Sequence, residues 1–87
     1  IPVLEYRFAT EHDGILLEYR WVEVETGFHM PFAIKLGDGN SLRLEGSTEW
    51  KKEKIYGIQW FNFYTTANSY KGCPHNALTY YQTRYTH

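Results

Sequence analysis

Hydrophobic and polar residues alternate with a period of two along most of the first half of the chain, as half-buried β-strands require. In the first run, Leu4, Tyr6 and Phe8 fall on one side. A polar stretch follows and ends in Asp13-Gly14, a strong turn signal because glycine adopts positive φ without steric cost. The alternation then resumes with a second apolar face: Ile15, Leu17, Tyr19 and Trp21. Charged residues take the opposite positions: Glu5, Arg7, Glu18 and Arg20. The pattern predicts an antiparallel hairpin.

A second hairpin is predicted between residues 30 and 45. Its first strand starts near Pro31, because a proline has no N–H for a ladder and belongs at a strand start or edge. The apolar face of that strand is Met30, Phe32, Ile34 and Leu36. Residues 37–40 (Gly-Asp-Gly-Asn) supply the turn, and residues 41–45 form a short partner strand.

The segment 48–55 is polar and strongly charged, with Trp50 as its one large apolar anchor. Its three lysines are Lys51, Lys52 and Lys54. Lysines on an exposed strand discourage edge-to-edge association, so this segment is predicted to be an outer strand.

The pattern weakens toward the C-terminus. Aromatic residues return between positions 56 and 64, and glycine, proline and asparagine then interrupt the chain up to residue 76. A last run, 78–85, has high β-propensity and is a candidate for one more strand. We therefore divide the chain into a β-sandwich core, residues 1–64, and a C-terminal extension, residues 65–87, which is either a last strand or a poorly ordered tail.

Short strands at intervals of about ten residues, separated by glycine and aspartate turns, are typical of all-β sandwiches and barrels. No helical periodicity of 3.6 residues is evident in the sequence. We expect an all-β fold, a small antiparallel β-sandwich of the immunoglobulin-like kind with about six to seven strands.

Charge and hydropathy exclude two partner classes. Nine basic and ten acidic residues among 87 leave a net charge of −1, which gives no electrostatic footprint for nucleic acid. Nothing approaches a run of about 18 apolar residues, so no membrane span is predicted. The chain starts Ile1-Pro2-Val3 without Met, which favours a piece of a longer protein.

The aromatic content is the one unusual feature of the composition. Eight Tyr, five Phe and three Trp exceed what so small a core requires, so some rings should be exposed. Exposed aromatic surface marks interfaces with protein or ligand. The candidates for such contacts are Trp50, Trp60 and Tyr64.

Metal-binding motifs are lacking. No two histidines lie four apart with a glutamate beside the first, and Cys73 and His75 have no paired ligands for a structural zinc site. His12 lies in a predicted turn, and His29 between two apolar residues is more typical of packing than of ligation.

A calcium-loop template also fails. Asp38, Asn40 and Glu49 match three of its positions, but Leu42 replaces an oxygen ligand and Arg43 replaces the required glycine. A hairpin turn is the better interpretation of this segment.

No catalytic constellation is predicted. The serines lack a Gly-x-Ser-x-Gly context. Glu23 and Glu25 share a face at strand spacing, which is weak evidence for an acid–base pair of carboxylates. We expect no catalytic residue, no bound metal and no enzymatic activity in this chain.

Four short segments occur in a recognisable order. Residues 17–21 are Leu-Glu-Tyr-Arg-Trp, residues 27–31 are Gly-Phe-His-Met-Pro, residues 47–50 are Ser-Thr-Glu-Trp, and residues 62–64 are Asn-Phe-Tyr. This order resembles the small β-sandwich domain that follows the catalytic domain in aminopeptidase N-like zinc metallopeptidases, particularly bacterial members. A Tyr-Arg-Trp strand, a Gly-Phe-Asp-Met-Pro segment, a Thr-Thr-Glu-Trp strand and a late Asn-Phe-Tyr-Val recur there.

The resemblance implies a non-catalytic accessory module. In that family the zinc and the His-Glu-x-x-His helix lie in preceding domains, so zinc is expected in the parent's catalytic domain and no cofactor in this fragment. The implied partners are neighbouring domains of the parent chain. A homo-oligomer of the isolated fragment, formed through its apolar patches, is a further candidate. The chain departs from the family at His29, where the pattern has Asp, and residues 65–87 have no counterpart.

A second hypothesis is a stand-alone β-sandwich module that binds carbohydrate or protein. Trp and Tyr rings stack on the faces of sugars, and β-sandwiches commonly carry such aromatic platforms. Trp50, Trp60 and Tyr64 would then be the stacking residues.

Overall fold

The computed structural model describes residues 1–64 and 81–87, which form seven β-strands and no helix. The strands are β1 (Val3–Glu11), β2 (Gly14–Val22), β3 (His29–Leu36), β4 (Ser41–Ser47), β5 (Lys51–Tyr56), β6 (Phe61–Phe63) and β7 (Gln82–Tyr85). They make two sheets, one of four strands in the order β5-β2-β1-β7 and one of three in the order β4-β3-β6. The predicted all-β fold, a small β-sandwich, is confirmed.

The first hairpin has the register that the alternation predicts. Glu11 pairs with Gly14 and leaves a two-residue turn between β1 and β2. On the outward face, Glu5 lies opposite Arg20 and Arg7 lies opposite Glu18. Both cross-strand pairs form salt bridges, at 2.7 Å for Arg20–Glu5 and 3.2 Å for Arg7–Glu18.

The second hairpin pairs β3 with β4 from His29–Ser47 to Lys35–Ser41. The four residues predicted for its apolar face are buried. The turn is closed by Asp38, whose carboxylate accepts hydrogen bonds from the backbone N–H and the side-chain amide of Asn40 at 2.9 and 3.0 Å. Such a local side chain-to-backbone bond fixes a turn. The strand β4 continues to Ser47, two residues beyond its predicted end.

The lysine-rich strand β5 lies at the edge of the four-stranded sheet and pairs with β2, as predicted for an outer strand. At the opposite edge, β7 pairs with β1 in parallel, whereas the other four pairings are antiparallel. A parallel neighbour requires a long connection, and residues 64–81 separate β6 from β7. Residues 78–80 of the last predicted strand, and Cys73 and His75, lie outside the described residues.

The core lies between the two inner faces and is centred on Trp21, which is 1% exposed. Its indole Nε1–H donates a hydrogen bond of 2.9 Å to the backbone carbonyl of Met30, which ties the two sheets together. Phe28, Phe32 and Tyr81 meet the indole edge to face, with ring centroids 5.4 to 6.0 Å away. Aromatic pairs in this geometry add to the energy of simple burial.

Candidate functional site

Five aromatic rings from three strands meet at one margin of the sandwich, and we call this group the aromatic cleft. Its members are Tyr6, Phe8, Phe61, Phe63 and Tyr85. The ring centroids of Tyr6 and Phe63 are 4.7 Å apart, those of Tyr6 and Tyr85 5.5 Å, and those of Phe8 and Phe61 5.6 Å. Most of the contacts are edge to face, so the rings hold one another in place.

The aromatic cleft is open to solvent. Phe8 is 42% exposed and Tyr85 is 45% exposed, although both rings belong to the clustered group. The rings of β1 and β6 line an opening of about 220 Å³, and Trp60 and Asn62 also border it. The cleft is open because the strands beside it are short: β7 pairs with β1 only as far as Tyr6, and β6 is three residues long.

Tyr6 is a neutral phenol in contact with the other rings of this cleft. Burial raises the pKa of the Tyr6 phenol above its ordinary value, and the neighbouring Tyr85 adds to the increase. A phenol with a raised pKa stays neutral near pH 7 and acts as an apolar ring with a hydrogen-bonding tip. The Tyr6 ring therefore packs against its aromatic neighbours in its neutral form.

Trp50 lies apart from the cleft, on the outward face of the four-stranded sheet. The guanidinium carbons of Arg7 and Arg20 are 4.2 and 4.6 Å from the centroid of its ring. Each arginine is also held by a glutamate on the neighbouring strand, as described above. The indole is half-buried against a cation–π layer, so its contact with these arginines occupies part of its stacking surface.

Trp60 and Tyr64 flank β6 on the outward side of the three-stranded sheet. Trp60 is 51% exposed, and its ring lies against the Cα of Gly37, where a Cβ would be 3.0 Å from the indole nitrogen. Tyr64 is 39% exposed, and its hydroxyl shares a hydrogen bond of 2.7 Å with Ser41 Oγ. Asn62 shares this side, because strand alternation opposes it to Phe61 and Phe63. Of the three predicted contact residues, the structure groups two and separates Trp50.

Phe8 and Tyr85 were missed as candidate contact residues by the sequence analysis. Phe8 falls on the face predicted to be buried, and Tyr85 lies in the uncertain last run. The high aromatic content was the only available signal, because exposure at a sheet margin depends on where the neighbouring strands end.

A cluster of three charges joins the first turn to β5. The ammonium of Lys54 lies 2.8 Å from Asp13 Oδ1 and also pairs with Glu11. The hydrogen bond from Lys54 lowers the pKa of the Asp13 carboxyl, and the two carboxylates raise the pKa of Lys54. The cluster fastens the edge strand to the first hairpin and leaves the ammonium with two acidic partners.

We expect the Lys54 cluster to contribute to the acid sensitivity of the fold. The pKa of Asp13 is lower in the folded chain than its ordinary value of 3.8. Its contribution to stability is therefore present above that pH and is lost as the pH falls through the folded pKa. Lys54→Met should therefore reduce the difference in unfolding free energy between about pH 6 and pH 2.5. Urea unfolding at both pH values measures this, and an unchanged difference would contradict it. The effect should be small because surface ion pairs are weak.

Among the described residues, no group of three or more His, Cys, Asp or Glu side chains could hold a metal ion. His12 and His29 are exposed, and His29 Nδ1 lies 3.4 Å from the backbone carbonyl of Gly27. Of the two carboxylates considered as an acid–base pair, Glu23 forms an ion pair with Arg84.

Across the described ranges, no helix is long and apolar enough to cross a membrane.

The chain was compared with known proteins at the level of sequence and of structure. No protein-family model, no curated protein and no solved structure matches it.

Proposed function

We propose that this chain is a non-catalytic β-sandwich module of a larger zinc aminopeptidase-like metallopeptidase. Its role is to pack against the catalytic and neighbouring domains through the aromatic cleft. The observation that carries the proposal is the open group of five rings, of which Phe8 and Tyr85 remain 42% and 45% exposed.

The chemistry of the aromatic cleft suits a protein partner. Aromatic residues are enriched in the buried centres of protein interfaces, where they form most of the binding hot spots. The rings of the cleft already restrain one another by edge-to-face contacts. Docking of a partner would therefore cost little of their conformational entropy. The contiguous apolar surface of the cleft would leave water on docking and supply the driving force.

The motifs behind the family resemblance also support a structural role. Trp21 contacts Phe28 and donates its hydrogen bond to Met30, which links the first motif to the second. Arg20 lies against Trp50 and links the first motif to the third. These residues are occupied in packing the sandwich, which accounts for their spacing without any reacting group.

The parentage can be tested on the gene. The reading frame upstream of Ile1 is expected to encode a His-Glu-x-x-His helix with a downstream glutamate. An upstream frame without that motif would end the assignment to this family. The purified 87-residue chain is also expected to show no cleavage of an aminoacyl-p-nitroanilide, and hydrolysis that survives repurification would contradict the non-catalytic role.

Hydroxyl-radical footprinting tests the docking surface. Phe8 and Tyr85 should be oxidised in the isolated chain and at least about fivefold slower in the longer protein, because a docked domain excludes solvent from the rings. Tyr56, which is 70% exposed on the edge strand β5, is the internal control and should keep its rate. The isolated chain is labelled at a concentration where sedimentation finds a monomer, since self-association would protect the same rings. Equal oxidation of Phe8 and Tyr85 in both proteins would show that the cleft is not the docking surface.

A further inference from the structure

The outward side of β6 carries a second surface, which we call the Trp60–Tyr64 face and define by Trp60, Asn62, Tyr64 and Lys35. We propose that this face binds a neutral, β-linked glycan by stacking two of its sugar rings on Trp60 and Tyr64. The proposal does not require domain docking, because its stacking rings are Trp60 and Tyr64 and not the five rings of the aromatic cleft. The two surfaces meet at Trp60 and Asn62, which also line the opening of the cleft.

Both stacking rings are fixed by contacts within the fold. Trp60 lies on Gly37, and its backbone carbonyl accepts a hydrogen bond of 2.9 Å from the Gly37 N–H. Tyr64 is held at both ends, since its N–H donates to the Ala33 carbonyl at 3.3 Å and its hydroxyl bonds Ser41 Oγ at 2.7 Å. Rings that are ordered before binding lose little entropy when a ligand stacks on them.

The spacing of the face suits an extended ligand with apolar and polar parts in alternation. Trp60 and Tyr64 are four residues apart, which is about 13 Å along an extended strand. Between them Asn62 lies directly opposite Lys35, and both are exposed. A glycan presents C–H faces to the rings, and its hydroxyls can bond the amide and ammonium groups between them. A protein partner would favour a contiguous apolar patch, which this polar pair interrupts.

The charges around the face balance, which favours a neutral ligand. Lys35 and Arg43 are matched by Glu45 and by Asp38 in the adjoining turn. Arg43 pairs with Glu45 at 3.6 Å, and the Asp38 carboxylate accepts hydrogen bonds from Asn40. With no surplus of either sign, the face has no field that would select an acidic or a basic ligand.

Titration calorimetry with five hexasaccharides tests the proposal: those of cellulose, xylan, mannan, chitin and laminarin. At least one should bind the 87-residue chain, and Trp60→Ala and Tyr64→Ala should each weaken that binding at least tenfold. Tyr64→Phe keeps the ring and loses the Ser41 bond, so it should retain most of the affinity. Tyr56→Ala is the matched control, because Tyr56 is an exposed ring on the other sheet and should leave binding unchanged.

Two results would overturn the proposal. One is the absence of binding by all five hexasaccharides to the folded chain. The other is an equal loss of binding in Tyr56→Ala and Trp60→Ala, which would point to nonspecific contact with exposed rings. Circular dichroism verifies that each variant is folded, and Trp60→Leu, which removes the ring but keeps an apolar side chain, replaces Trp60→Ala if the alanine variant is not.

Discussion

Replacement of Trp21 with alanine is expected to destabilise the domain by about 4 kcal/mol, which lies within the range measured when buried aromatic side chains are replaced with alanine. Trp21 is 1% exposed and contacts rings from β3, from the segment before β3 and from the residue before β7. Its removal leaves a cavity where the two sheets meet. A domain of this size has a total stability of roughly 4 to 13 kcal/mol, so the substitution would remove between about a third and all of it.

Trp21→Phe separates the hydrogen bond from the packing. A phenylalanine keeps a ring in the cavity but leaves the Met30 carbonyl without its donor, at a cost of about 1 to 3 kcal/mol for a buried acceptor. Trp60→Ala is the matched control, because that ring is 51% exposed and surface substitutions change stability by about 0.5 kcal/mol or less. Urea unfolding followed by circular dichroism gives all three free energies. Equal midpoints for Trp21→Ala and Trp60→Ala would refute the central role of Trp21.

The sequence was informative where burial of one face determines the register. A slip of one residue in β1 would move Leu4 and Tyr6 to solvent and bring Glu5 and Arg7 into the core. The alternation therefore predicted both the pairing and the outward charged face. The same reasoning predicted β3, whose apolar residues are buried, and the exposed lysine edge at β5.

Strand lengths were less predictable than strand identities. The alternation predicts the first strand only as far as Phe8, because residues 9–11 are polar or small, yet these exposed residues belong to β1. Backbone hydrogen bonds to β2 extend the strand there, and such bonds do not depend on the polarity of the side chains. The parallel pairing of β7 with β1 joins residues about 80 positions apart, and no local pattern encodes it.

The sequence predicted that some aromatic rings are exposed, because their number exceeds what the core requires, and the role of the three candidates in contacts stays a prediction. Trp60 and Tyr64 are exposed on one side of β6. The environment of Trp50 was not predicted, because Arg7 and Arg20 reach its ring from strands distant in the sequence. The openness of the aromatic cleft at Phe8 likewise depends on where β7 ends, which the alternation within β1 does not specify.

Among the glycines that the structure describes, Gly14 is expected to be the one at which substitution with alanine is most damaging. Gly14 starts β2 opposite Tyr56 of β5, and a Cβ at this position would lie 2.1 Å from the backbone carbonyl oxygen of Ile55. Backbone atoms cannot rotate out of the way as a side-chain end can, so the added methyl must push β5 from its ladder. We expect a loss of about 3 kcal/mol or more, at the upper end of overpacking costs.

Gly39→Ala is the matched control for this substitution. Gly39 also has a positive φ, at +91°, but a Cβ there meets nothing within 4 Å, so the change costs backbone strain alone, about 1 kcal/mol. Urea unfolding compares the stability of the two variants. Hydrogen exchange locates the damage, and the amides of β5 should exchange faster than those of β3.

The Lys54 cluster also fastens β5 at this turn. In the Gly14→Ala background, Lys54→Met should therefore lower the free energy of unfolding by less than it does alone. Equal losses of unfolding free energy in Gly14→Ala and Gly39→Ala would contradict the prediction for Gly14. They would mean that β5 can move away from an added Cβ at position 14 without an energetic cost.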